Sequence, residues 1–202
     1  MESIFRMQAN FRQLVEAMAY PGDCKSLSLA PTYQKRWDEE GNLPSAGVFA
    51  VMEVLIDQEV KAMTLPRNKA FEAELSIYAN SQITTDIQQA DYIAISHDFL
   101  MDSKAFDDLN QLSIGNLEDP DQSASLIIEV DKLGDQDANY QLTGPGIKET
   151  KAVYLPLSEE FVHWRQTMNR EFPLGIDVIL VDPAGECLAL PRTTKIQLHG
   201  RD

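Results

Sequence analysis

"GIDVILVD", residues 175–182, decides the fold class. Between Ile176 and Val181 only Asp177 is polar, and most of the apolar residues are β-branched, so the run reads as a strand buried on both faces. Such a strand needs cover above and below, which points to helices packed on a sheet. The preceding stretch, "SEEFVHWRQTMNREF" (158–172), reads as a helix. Ser158 is placed as its N-cap, and Glu159 and Glu160 favour the dipole from the first turn.

Further upstream the pattern repeats. "VKAMTL" (60–65), "ADYIAISHDF" (90–99) and "SASLIIEV" (123–130) read as strands. Helical spacing marks 46–55, with Ser45 as N-cap, and 67–81 through Phe71, Leu75 and Tyr78. A further helix is expected over 102–112, capped by Asp102 or Ser103. At the start of the chain Phe11, Leu14, Val15 and Met18, extended by Ile4 and Met7, form an apolar stripe over 3–19 that "YPG" (20–22) ends. "YQLTG" (140–144), "KAVYL" (151–155) and "KIQLH" (195–199) complete the strands. Helices and strands interleave, and the fold class is α/β in layers. No repeat or low-complexity linker divides residues 1–202, so a single domain is expected.

Composition excludes several function classes. The net charge of −15 comes from acidic residues scattered along the chain, with no Lys/Arg stripe to offset them, which argues against nucleic acid and anionic membranes as partners. No apolar run approaches the roughly 20 residues of a membrane-spanning helix, and the first residues do not read as a secretory signal. Cys24 and Cys187 lie far apart, the pattern of two free thiols in a reducing cytoplasm. His97, His163 and His199 are dispersed, so no metal site is expected. His97 beside Asp98 stands either as a ligand or acid–base pair or as a surface residue at a strand end. Phosphate-loop, dinucleotide, serine-hydrolase and zinc-protease signatures are absent.

Three punctuated stretches remain as candidate chemistry. "LTGPGI" (142–147) sets Gly144 and Gly146 around Pro145 after Thr143, either as a turn or as a backbone cradle for an anion. Asp177 falls inside a buried strand, where a carboxylate needs a partner. In "ALPRTTKI" (188–195) Arg192 offers a fork suited to carboxylate or phosphate, with Thr193 and Thr194 as hydroxyl donors. A salt bridge from Arg192 to Asp177 would explain both residues without a ligand.

"FRQLVEAMAYPG" (11–22), "LSIGNLEDPDQSASLIIEV" (112–130), "LTGPGI", "NREFPLGIDVILVD" (169–182) and "LPRTT" (190–194) occur in that order. Together they resemble the PhnH family of carbon–phosphorus lyase subunits, used by bacteria to take phosphate from phosphonates. The resemblance spans 11–195. It departs from the family at "IDQEVKAMTL" (56–65), which lacks the usual proline and tryptophan, and at Ile114 and Asn116, where threonine is common.

The resemblance implies a three-layer α/β/α sandwich with a central mixed sheet, similar to the large domain of pyridoxal-phosphate transferases but without the cofactor. It implies a cytoplasmic homodimer assembled with the lyase subunits G, I and J. In that system a phosphonate is joined to the ribose C1 of ATP, giving ribose 1-phosphonate 5-triphosphate, before a radical iron–sulfur protein breaks the carbon–phosphorus bond. Two distant cysteines do not make an iron–sulfur site here. Two roles compete: a non-catalytic assembly subunit, or a ligand-binding subunit. In the second, a cleft of Thr143, Gly144, Gly146, Asp177, Arg192, Thr193 and Thr194 holds nucleotide or phosphonate. Arg12 either points toward that cleft or is a solvated helix residue. No residue is assigned a catalytic role.

Overall fold

The structure, a computed structural model, describes residues 2–40, 44–102, 104–134 and 136–200. The helices are α1 (Glu2–Ala19), α2 (Pro31–Glu40), α3 (Ala46–Leu55), α4 (Lys69–Ala79), α5 (His97–Leu100), α6 (Ala105–Leu109) and α7 (Glu159–Met168). The strands are β1 (Lys25–Ser26), β2 (Lys61–Leu65), β3 (Gln82–Ile83), β4 (Tyr92–Ile95), β5 (Ser125–Glu129), β6 (Tyr140–Thr143), β7 (Lys151–Val153), β8 (Asp177–Val181), β9 (Glu186–Leu190) and β10 (Lys195–Leu198).

Seven strands form one mixed sheet in the order β1-β9-β8-β5-β4-β2-β3, and a second sheet has the order β10-β6-β7. The run from β8 to β3 is parallel, while β9 turns back antiparallel on β8. Strand β8 lies between β5 and β9, and alternation along it sends successive side chains to the two covered faces. Val178 and Leu180 join Leu126 and Ile128 in a core closed by Phe161 and Trp164 of α7 and by Tyr140 and Leu142 of the small sheet. Ile179 and Val181 join Ile127 and Ala94 in the opposite core, under Leu14, Tyr33, Phe49 and Phe71 of the first four helices. Helices therefore cover both faces of a mixed sheet, and the small antiparallel sheet completes one of the two outer layers.

Several elements follow their local chemistry. Ser45 caps α3 by accepting from the Val48 N–H, and Ser158 caps α7 by accepting from the Phe161 N–H. The helix expected over 102–112 is instead two short ones. Ser96 caps α5 ahead of the expected start, and Asp102 accepts the Lys104 N–H in the turn before α6 without capping it by the usual geometry. Ser103 lies outside the described residues. Helix α7 ends at Met168, four residues short of the expected end, because the Asn169 side chain donates to Ile176 O, accepts from the Ile176 N–H and turns the chain toward β8. Helix α2 and strand β9 were not anticipated; β9 ("ECLAL") contains no β-branched residue.

The apolar stripe of α1 is also rotated from its expected position. Leu14 and Ala17 are buried, but Ile4, Phe11 and Val15 stand in solvent. Buried Asn10 sets the angle: its side chain donates to Ser28 O at 3.0 Å and accepts from Ser28 N at 2.8 Å. Arg6 adds an ion pair to Glu53 of α3, its Nη2 donating to both carboxylate oxygens. Two polar anchors override hydrophobic spacing.

Candidate functional site

The "PRTT" turn sits where α7, β8 and β10 converge, at the amino-terminal edge of the parallel strands. Asp177 opens β8, and Arg192 follows β9. The carboxylate of Asp177 accepts from the Arg192 backbone N–H at 2.7 Å and from its guanidinium at 2.6 Å. The remaining guanidinium donors go to Pro120 O, Pro173 O and Ser123 Oγ. All five N–H groups of Arg192 are thus engaged by the protein. Of the two expected readings of Arg192, the structure shows the salt bridge to Asp177, and the side chain clamps together the loop before β5, the loop before β8 and the turn after β9.

"LTGPGI" touches this turn from the other side. Thr143 pairs with Lys195 across β6 and β10. Gly144, at φ 136°, lies so close to Thr193 O that a Cβ would stand 2.9 Å from it. Gly146 faces the end of α1, where a Cβ would meet Ala19 O at 2.2 Å. The motif is therefore a spacer between α1 and the "PRTT" turn. Thr143, Gly144, Gly146 and Asp177 do not line the cleft beside this turn, and neither does exposed Arg12, which lines a shallow pocket with Met7, Phe11 and Val54 on the α1 surface. Asp177 supports the turn from behind.

A residue read only as part of a packed helix completes the arrangement. Arg165 of α7 is 1% exposed, and its guanidinium donates to the carbonyls of Leu190, Pro191 and Thr194. No carboxylate among the described residues bonds it. Burial depresses its pKa to about 10, although Asp177 acts in the opposite direction. Its only signal in the sequence is its place one helical turn before Asn169, on the face of α7 that ends the helix against "PRTT". Asn169 donates to Arg192 O, so α7 fixes the turn through two side chains.

Between α7 and this turn lies a cleft of about 440 Å³. Its wall includes Arg165, Arg170, Arg192 and Lys195, with Thr193 and Thr194 beside them and no Asp or Glu. Such a wall suits an anion, and it stands against a chain whose net charge is −15.

A larger cavity, about 560 Å³, opens at the opposite edge of the sheet. It lies beyond the carboxyl ends of β2, β4 and β5, where connections from β2 to β3 and from β4 to β5 leave in opposite directions. Open α/β sheets bind ligands at such switch points. His97 and Asp98 both line it, together with Asn68, Glu129 and Asp131. Burial raises the pKa of Glu129 although its carboxylate accepts the Ser45 N–H at 3.2 Å; Asp131 and Asp98 push the same way as burial. Among the described residues no cluster of His, Cys, Asp and Glu could hold a metal ion, and no helix is long and apolar enough to cross a membrane.

Comparison with known proteins adds an independent line. Residues 1–197 match the family model of the bacterial phosphonate metabolism protein (PhnH). A protein of Stutzerimonas stutzeri named as a C–P lyase subunit, HtxG, is 27% identical over 196 residues, covering 96% of this chain and 88% of its own length. The alpha-D-ribose 1-methylphosphonate 5-triphosphate synthase subunit PhnH of Rhizobium meliloti (strain 1021) is 29% identical over 201 residues, covering 97% and 92%.

Proposed function

This chain belongs to the PhnH family of bacterial phosphonate metabolism proteins, and from that membership we propose that it serves organophosphonate breakdown as the PhnH component of a carbon–phosphorus lyase complex. Its role is assembly in the step that forms ribose 1-phosphonate 5-triphosphate from ATP and phosphonate. In this reading it is a cytoplasmic homodimer, joined to the lyase subunits G, I and J, with a sheet like that of the large domain of pyridoxal-phosphate transferases. It carries no cofactor of its own. Absorbance at roughly 400–430 nm in the purified protein, where a pyridoxal Schiff base absorbs, would oppose that last point.

The observation that carries the assembly role is the outer face of α1. Ile4, Phe5, Phe11 and Val15 are exposed on one helix. A group of large apolar side chains left in solvent marks a docking surface. We assign this face to the heteromeric contact. Co-purification from cells producing all four proteins tests it, using Phe11→Glu/Val15→Glu, a variant expected to keep its fold because both positions are exposed. Loss of G, I and J from the variant supports the role; full recovery of the complex removes α1 from it. A second reading, in which the protein also holds an anionic ligand, is favoured by the cation-lined cleft beside Arg165.

A further inference from the structure

We propose that the cleft between α7 and the "PRTT" turn is a binding site for a phosphate-type oxyanion, held by Arg170, Lys195 and Thr194 over the buried charge of Arg165. The inference rests on the second reading, that this cleft is a ligand site, and not on the assembly role.

Charge is the first ground. Four cationic side chains line the wall and no carboxylate does. They are not equivalent. The charge of Arg192 is matched by Asp177 at 2.6 Å, and its donors are occupied. Among the described residues Arg165 is bonded only to carbonyl oxygens, so its positive charge is buried without a bonded counter-ion there. Exposed Arg170 and Lys195 have no ion pair among the described residues and can reach a bound anion from the rim.

Unsatisfied polarity is the second, independent ground. Thr194 is 2% exposed, and its hydroxyl has no hydrogen-bond partner; the Nε–H of Arg165 has none either. Buried polar atoms almost always find a partner, and both orphans belong to residues that line this cleft. Both are donors, or can act as donors, which selects an acceptor-only ligand. A dianionic tetrahedral oxyanion supplies several acceptors and the missing negative charge together.

The rim indicates how a larger ligand would extend. Phe172 is 77% exposed at the mouth of the cleft, beyond Arg170. An exposed aromatic ring beside a cationic site offers a stacking surface to a nucleobase. Free phosphate, an alkylphosphonate and the terminal phosphoryl group of a nucleotide all present the oxyanion this wall selects.

The test is calorimetric titration of the full-length protein at low salt with inorganic phosphate, methylphosphonate and ATP. The same titrations are run on Arg170→Ala/Lys195→Ala and on Thr194→Val, each checked for unchanged thermal unfolding. The expected result is binding by the wild type that the double variant weakens about tenfold or more, the scale of losing charge-assisted hydrogen bonds. Thr194→Val keeps the shape of the wall, so any weakening it causes reports the hydroxyl. Phe172→Ala separates the sources: a loss confined to ATP identifies a nucleotide, and equal affinities of all three identify the oxyanion alone. Either pattern supports the site. Binding unchanged in the double variant overturns this placement and leaves a ligand site elsewhere. No binding of any probe at millimolar concentration overturns both the placement and the ligand reading.

Discussion

Arg192 and Asp177, fifteen residues apart in the chain, form an ion pair at 2.6 Å that also ties the turn after β9 to the first residue of β8. Each side chain is 18% exposed, so the pair is shielded from water without being sealed from it. Removing one partner leaves the other charge poorly solvated. Asp177→Asn or Arg192→Met alone is expected to cost about 2–3 kcal/mol, less than the full penalty for a sealed pair. The double variant should cost well under the sum. Urea unfolding of all four proteins reads the coupling, and strict additivity would show that the two residues act separately.

Gly146 makes a sharper demand on the backbone. Its φ of 81° disfavours other residues, and a Cβ there would stand 2.2 Å from Ala19 O. Gly146→Ala should lower stability by about 2–3 kcal/mol, because both strain and collision act in the folded state. Thermal unfolding checks it. A stability within a few tenths of the wild type would mean that α1 yields easily at its C-terminal end.

The two thiols should differ in reactivity. Cys187 is buried, and burial foremost, followed by nearby Cys24, lifts its pKa to about 12. Cys24 is exposed, yet partial enclosure and Glu186 also raise its pKa, so it should react more slowly than an ordinary surface thiol. A thiol-reactive dye at neutral pH should label one cysteine per folded chain. The second should react only through unfolding, slower by about three orders of magnitude or more. Rapid labelling of both would show that the edge formed by β1 and β9 opens readily.

Glu129 predicts a pH dependence. Its pKa is raised, mainly by burial, above the unfolded value near 4.5, so the folded chain holds its proton longer than the unfolded chain does. Stability from this group is present below the unfolded value and is lost as pH rises through the folded one. Glu129→Gln removes that loss while keeping an acceptor for the Ser45 N–H. The variant should therefore gain on the wild type as pH increases across this window in urea titrations. A difference that does not change with pH would mean that Glu129 ionises as freely in the folded chain as in the unfolded one.

Local chemistry was enough to read the framework. "GIDVILVD" announces a doubly covered strand because nothing else buries six nearly apolar residues in extended form, and Ser45 and Ser158 mark helix starts because their hydroxyls satisfy free N–H groups nearby. The Arg192–Asp177 pair was among the alternatives the sequence offered, since a carboxylate inside a buried strand needs a hydrogen-bond or ionic partner. Tertiary structure alone decided the rest. The rotation of α1 depends on Asn10 meeting Ser28, and the clamp role of Arg192 depends on Pro120, Pro173 and Ser123 converging on it from other loops. The cleft depends on α7 and the residues just after it bringing Arg165 and Arg170 beside Lys195 of β10. Hydrophobic spacing and capping act over a few residues, so the sequence displays them directly. Charge clusters and unsatisfied donors are properties of residues that meet only when the chain has folded.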